Sequence, residues 1–491
     1  MFYRNRLPVK PMQTVKLKLA HFKNGINTKT EENLLPINFA RLTYNFSFKS
    51  GALTNGLGIE TAKFTQEINL SDNSGIERLW LFKRYSAANN RNEYVLLIFT
   101  KSKKLYWSWL FNPTGNVGQL NTAFTACPQA INYRLANTDV MILTPPEAGN
   151  AMHTWDGLNA PQPVLNCPFI TSLCIHNERL FATVGGDRKT LWFSTELDPV
   201  NWTVGAQGAG YITMADERGG LNKVFSFNGY VYVLRDYGIS RVSAWGAQAD
   251  FSVNHLFVSS GKIYANTAVL CGNRIVWLAY DGLYTFDGIS TNKRTLGFEK
   301  LFEGTQNDNA GAEYHNGKYY LSCRLNYGDD KVVGGESDAG HKNNALIEYD
   351  LNTGEYCIFR GTDIAGLLSV QDGSFNKLLC WFNTGRTSTI GEVNNSGMLF
   401  NEPAVKVWSS PLTDLGYPDK NKVLKEIVFQ SSHDCKLAVT HDDKTTEYEI
   451  KGSGKGVRVK LNLAAKKFSL EFSSDTQECN ISNPQATILL V

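Results

Sequence analysis

Apolar and polar residues alternate along this chain in short bursts, and no long run keeps helical spacing. The segment CGNRIVWLAYDGLYTFDG, Cys271 to Gly288, shows the recurring unit. Ile275 to Ala279 reads as a strand, Asp281-Gly282 as a turn and Leu283 to Phe286 as the return. Asp-Gly between apolar runs marks a hairpin, because both residues accept the positive φ that the turn imposes. FNGYVYVLRDYGISRV (Phe227 to Val242), HNERLFATVGGDRKTLWFST (His176 to Thr195) and HNGKYYLSCR (His315 to Arg324) repeat the plan. FNKLLCWF (Phe375 to Phe382) pairs with Thr387 to Val393, and 92–110 and 138–155 are looser copies. Strand starts near 93, 138, 178, 229, 274, 317 and 376 are spaced by 40 to 59 residues. A period in the forties with three or four strands per unit is a propeller blade, since radial stacking buries both faces of each small sheet. The expected fold class is all-β: a β-propeller of about seven blades, six to eight fitting the spacing.

From Val405 the pattern changes. KEIVFQSS, CKLAVTHDD, TEYEIKG, VRVKLNL, KFSLEFSS and ATILLV are short, evenly alternating strands. Leu437, Val439 and His441 alternate with Lys436, Ala438 and Thr440, as in a half-buried strand. This predicts a small β-sandwich. The expected division is 1–60, an N-terminal arm and strands with the option of closing the propeller; 61–402, the propeller; and 403–491, the sandwich.

Composition agrees with strands and turns: 12% aromatic residues and 42 glycines. The formal charge of +3 lacks the basic excess of a dedicated nucleic-acid or membrane-surface binder. Arg4, Arg6, Lys10, Lys16 and Lys18 form one local basic stretch, read as a surface arm. The nine cysteines include no CxxC pair, and Cys174, Cys323, Cys357 and Cys380 lie in apolar strands. They read as reduced core residues, with folding in a reducing cytoplasm. The N-terminal residues lack an apolar signal region, and no run of eighteen apolar residues predicts a membrane-spanning helix.

Candidate chemistry is sparse. The eight histidines have no HxxH or HExxH spacing, and neither a GxSxG elbow nor a Walker loop occurs. His176 and His315 hold equivalent repeat positions just before a turn, which reads as structure rather than ligation. His433, Asp434, Asp442 and Asp443 flank one hairpin and are read as a solvated turn, with cation binding as the alternative. Asp187, Asp236, Asp281 and Asp287 are read as turn residues bonding the local backbone. Trp107 with Trp109, and Tyr319 with Tyr320, are read as packing between blades, a sugar platform being the alternative. A propeller glycosidase would aim two carboxylates into its channel, and no pair stands out. The expectation is therefore a non-enzyme with no catalytic, cofactor-binding or metal residues and no cofactor.

Three segments together resemble virion proteins of tailed bacteriophages, in the tail nozzle and tail stabilisation propeller family. They are HFKNGINTKTEENLLPINFARLTYNFSFKSGALTNGLGI (His21 to Ile59), ERLFATVGGDRKTLWFSTELDPVNW (Glu178 to Trp202), and the C-terminal unit with Trp408, Asp414-Leu415-Gly416, Lys425 and Lys466 to Phe472. The resemblance implies a non-catalytic structural subunit of a tail nozzle, hub or head-tail ring, located in the virion tail after assembly in the host cytoplasm. It implies as partners further copies in a ring, other tail or connector proteins, and transient contact with genomic DNA in an axial channel. On that reading the inserts 326–343 and 203–220 make intersubunit contacts, and deleting 328–342 leaves a soluble monomer but impairs assembly. The alternatives are a glycan- or receptor-binding tail module and a propeller-fold polysaccharide hydrolase.

Overall fold

The computed structural model describes residues 13–19, 22–148, 151–205, 208–328, 337–372 and 375–491. Arg4, Arg6, Lys10 and His21 lie outside the described residues. Seven antiparallel sheets carry the repeat. Blades 1 to 6 span 76–120, 129–164, 170–213, 221–258, 269–293 and 311–359. The seven aligned strand starts all belong to second strands, from Arg91–Thr100 in blade 1 to Phe375–Phe382 in blade 7. In blades 2 to 6 two-residue loops connect first to second strands, as at Asn228-Gly229 and Asn316-Gly317, with φ of 46° and 77°, and 49° and 79°. These left-handed pairs match the strand twist, which is why Asn-Gly marks the repeat. In blade 5 the turn sits one residue earlier than expected: Ala279 pairs with Gly282, so Tyr280 and Asp281 form the loop.

Blade 7 closes the ring. Ile364–Asp372, Phe375–Phe382 and Gly391–Asn394 come from its own region, and the fourth strand is Gly58–Thr61. That strand runs antiparallel to Gly391–Asn394, with Ile59 opposite Val393. The first strands of blades 7 and 1 then lie against each other at the axis. A close approach explains the two glycines here. A Cβ on Gly56 would lie 2.6 Å from the Asn45 carbonyl oxygen, and one on Gly58 2.8 Å from the Gly397 nitrogen.

The second unit is a two-sheet sandwich, but both ends of the chain build it. One sheet combines Gln13–Lys18, Phe46–Ser47 and Leu53–Asn55 with Asn480–Leu490, Lys422–Ser431 and Gly456–Ala465. The other adds Leu42–Tyr44 to Lys406–Ser409, Phe468–Ser474, Cys435–His441 and Lys444–Ile450. The described strands within 13–55 thus belong to the sandwich rather than to an arm, and only 58–61 joins the propeller. Lys16 and Lys18 stand exposed on the strand paired with Asn480–Leu490. The physical reason is edge pairing: both sheets would otherwise leave long unpaired backbone edges.

One hydrophobic cluster runs through the sandwich and blades 5 and 6, from Phe22, Phe46, Trp408 and Phe472 to Val276, Phe298, Tyr319 and Ile358. Polar anchors cross the same joint. Asn45 is buried with φ of 61°; its Nδ2 donates to the carbonyls of Arg360 (2.9 Å) and Val405 (2.7 Å), and its Oδ1 accepts from Arg360 N (2.8 Å). Asn tolerates this left-handed backbone better than other non-glycine residues. Asn45→Ala should cost about 3–5 kcal/mol, from stranded backbone groups and backbone strain. Denaturant unfolding will read the loss, and a cost under about 1 kcal/mol would show that the bridge is not structural.

All nine cysteines are free thiols, seven of them buried. No helix among the described residues is long and apolar enough to cross a membrane.

Candidate functional site: the central channel

The first strand of every blade faces the axis, and together they wall a cavity of about 440 Å³. Its charged lining residues are Glu77 and Arg78 from blade 1, Lys223 from blade 4 and Glu313 from blade 6. The lining from the other four blades carries no charge. Burial pulls the Lys223 ammonium down to about 8, with the Arg78 charge adding to the fall and Glu313 opposing it. Its Nζ donates to the Ala268 carbonyl at 2.7 Å. Burial pushes the Glu313 carboxyl up to about 7, against hydrogen bonds from Tyr314 N and Ser369 N and the charges of Lys223 and Arg78. Near neutral pH this carboxyl is therefore partly protonated while two cations share its cavity.

A second cavity, also of about 440 Å³, shares Thr171, Asn222, Ala265 and Asn266 with the first and forms its mouth. Ion pairs frame it: Arg188 with Asp236 at 2.5 Å, and Lys262 with Asp308. Arg188 also donates to Asn222 Oδ1 at 2.6 Å.

The residues weighed from sequence fall mostly elsewhere. Asp187 accepts from Lys189 N and Thr190, and Asp287 from Ile289 N and Ser290 N, as turn residues do. Asp281 instead pairs with Lys293 (2.6 Å) and Tyr284 (3.0 Å), and Asp236 belongs to the mouth. Asp434 bonds Lys451 and Gly452 N, whereas Asp442 accepts from Lys466 N and Lys467 N. These two carboxylates cap opposite ends of the strand Cys435–His441, roughly 20 Å apart at the strand rise, too far to share one ion. Among the described residues no group of three or more His, Cys, Asp or Glu could hold a metal. Trp107 packs edge-on against Trp109 and reaches Trp155 of blade 2. Tyr319 and Tyr320 are buried, bonded to the Thr267 carbonyl and to Glu348.

His176 and His315 each end a first strand and bond a serine on the next blade's first strand. His176 Nδ1 meets Ser226 Oγ at 3.0 Å, and His315 Nδ1 meets Ser369 Oγ at 2.9 Å. Their equivalence is a repeated strap between blades. Burial lowers both from 6.5, and His153 likewise. Below that value the unfolded chain binds more protons than the folded one, so their contribution is full above about pH 6.5 and lost as pH falls. The thermal midpoint should drop between pH 7 and pH 5, above the range where the lowered aspartates act. His315→Gln should flatten that drop, and an unchanged slope in scanning calorimetry would remove His315 from the account.

One serine–histidine–aspartate chain of contacts exists: Ser240 Oγ to His255 Nδ1 at 2.9 Å, and His255 Nε2 to Asp216 Oδ2 at 3.2 Å. Ser240 has no exposed surface, so it cannot meet a substrate. The fully buried Arg235 holds Asp216 at 2.8 Å and caps the Met214 and Gly219 carbonyls. Asp216 and the Met214 and Gly219 carbonyls of this knot lie within 203–220, which also contains the outer strand Gly210–Thr213; residues 206–207 lie outside the described residues. The segment is therefore part of blade 3 and its link to blade 4, not a free insert. The 326–343 segment is anchored too. Asp338 is buried against Arg360 (2.9 Å), and the Arg360 guanidinium lies 4.0 Å from the Tyr327 ring centroid. Deleting 328–342 would strip Arg360 of that carboxylate, so the expected soluble monomer gives way to a destabilised chain. Residues 329–336 of that segment lie outside the described residues.

Sequence reading missed Arg78, Lys223 and Glu313. Their signal is positional: each lies on the strand preceding a recognised hairpin, the strand that ring closure turns toward the axis.

No family model matches the chain, and no curated protein matches it. Among solved structures, selenomethionine-substituted virginiamycin B lyase from Staphylococcus aureus is similar at 6% identity and a TM-score of 0.43, over 69% of this chain and 99% of that one. BBS1N in complex with ARL6DN, soaked with lead, is similar at 8% identity and 0.42, over 66% and 93%. The mercury-soaked form gives 9%, 0.42, 68% and 98%. The propeller assignment rests on this chain's own strand pairing.

Proposed function

We propose that this chain is a structural subunit of a tailed-phage virion, packed into a tail nozzle, hub or head-tail ring with copies of itself and other tail proteins, and that it works without catalysis. One observation carries the assembly reading. In each of blades 1 to 5 the loop from third to outer strand holds an exposed large apolar side chain: Phe111, Leu158, Leu197, Trp245 and Ile289. Ile289 is 89% exposed, in a four-residue loop where no fold requirement calls for it. In an up-and-down sheet these loops share one face with the first-to-second turns, so five consecutive blades present apolar groups on the same side. Recurrent exposed apolar groups mark a surface that another protein covers. The segments resembling tail proteins also include 21–59, which joins sandwich and propeller.

Labelled protein imaged by electron microscopy in purified virions should sit in a tail ring, and its absence from virions would sink the reading. Trp245→Asp with Ile289→Asp should leave folding intact and prevent incorporation; normal incorporation would remove this face from the interface.

A further inference from the structure

The channel holds more positive charge than its own residues use. Arg78 is exposed into it and makes no hydrogen bond or ion pair among the described residues. Lys223 spends its ammonium on one backbone carbonyl, not on a carboxylate. The side-chain amides of Gln129 and Asn309, which line the same cavity from the start of blade 2 and from just before blade 6, also have no partner among the described residues. Trp80 and Trp381 reach the lining with only a small part of their rings, 8% and 5% of each residue being exposed. A cavity of this size, with a few convergent unpaired polar groups, has the dimensions of a small-molecule site.

We propose that the central channel binds a small carboxylate-bearing sugar, a uronic acid in chemical class, with the carboxylate on Arg78 and Lys223 and hydroxyls on Gln129 and Asn309. Two cations from different blades favour an anion, and the planar guanidinium matches a carboxylate's two oxygens. The neutral amides donate and accept as sugar hydroxyls do. Entry is through the mouth framed by Arg188–Asp236 and Lys262–Asp308. The anion adds negative charge beside Glu313, so Glu313 takes up a proton on binding and Lys223 keeps its own. The remaining charged lining group, Glu77, pairs with Lys103 at 2.8 Å.

The full-length protein should be titrated calorimetrically with D-glucuronate, D-glucose and inorganic phosphate at pH 6.5 and low salt. Saturable one-to-one binding of glucuronate is expected, with glucose weaker by about tenfold or more, as loss of one charge-assisted contact implies, and phosphate weaker because it has no ring hydroxyls for Gln129 and Asn309. Arg78→Gln, at an exposed position, should weaken glucuronate by a similar factor at an unchanged thermal midpoint, and Lys223→Met should weaken it likewise. Affinity should fall from pH 6.5 to pH 9, as Glu313 ionises and Lys223 loses its proton. Absent glucuronate binding, equal binding of phosphate or glucose, wild-type affinity in Arg78→Gln, or a flat pH profile would each overturn the proposal.

Discussion

A chain that begins at residue 62 is expected to give no folded protein. Truncation removes Leu19, Phe22, Ile26, Tyr44, Phe46, Phe48 and Leu53 from the shared core. It also takes the outer strand of blade 7. Phe22 packs edge-on against Trp408 at 4.8 Å and reaches Phe472 at 6.0 Å, so it sits between the C-terminal strands themselves. At roughly 1.5–3 kcal/mol per buried large side chain, these seven are worth on the order of 10–20 kcal/mol, against a typical net stability of about 5–15 kcal/mol. The unpaired edges of Gly391–Asn394 and Asn480–Leu490 would add aggregation. Expression followed by far-ultraviolet circular dichroism checks this, with residues 1–61 supplied in trans as the rescue arm. A soluble truncated chain with a cooperative unfolding transition would show that the two ends do not build one core.

Arg360→Met is expected to destabilise the same joint as strongly as Asn45→Ala. The Arg360 and Asp338 side chains are each 1% exposed, with Nε to Oδ2 at 2.9 Å. Hydrogen bonding and the charge of Asp338 outweigh the burial that would otherwise lower the guanidinium. Removing the cation leaves a carboxylate cut off from water, which costs about 3–5 kcal/mol. Contacts to the rings of Tyr327 and Tyr44 go with it. The diagnostic comparison is Arg360→Met with Asp338→Leu: replacing both ions by apolar groups removes the stranded charge, so the double variant should recover more than half of the loss. Denaturant titration of the single and double variants reads the coupling. A single variant within about 0.5 kcal/mol of the parent, the range of neutral surface changes, would deny the pair any structural role.

These two predictions concern the same joint, and it is the part least legible in the sequence. The hairpins were readable because a two-residue turn is a local matter. Asn228-Gly229 and Asn316-Gly317 accept positive φ, and the flanking alternation supplies two half-buried strands. Counting such signals located all seven second strands and hence the blade number. His176 and His315 were readable as repeat equivalents for the same reason.

The N-terminal strands gave no such signal. Gln13–Lys18 alternates weakly, and its partner is Asn480–Leu490, at the other end of the chain. Nothing local specifies that partner, because strand pairing is made by backbone groups that every residue carries. The choice follows from covering two sheet edges and one apolar core at once, a property of the whole fold. The same holds for the channel: Arg78, Lys223 and Glu313 each read as an ordinary surface charge within its own strand. The sequence by itself determined the strands, their turns and the blade count, since φ preference and period-two patterning act within a few residues. Only the tertiary structure decided that the first and last segments share one sandwich and that charges from three blades meet at one axis, since edge pairing and ring closure depend on residues hundreds of positions apart.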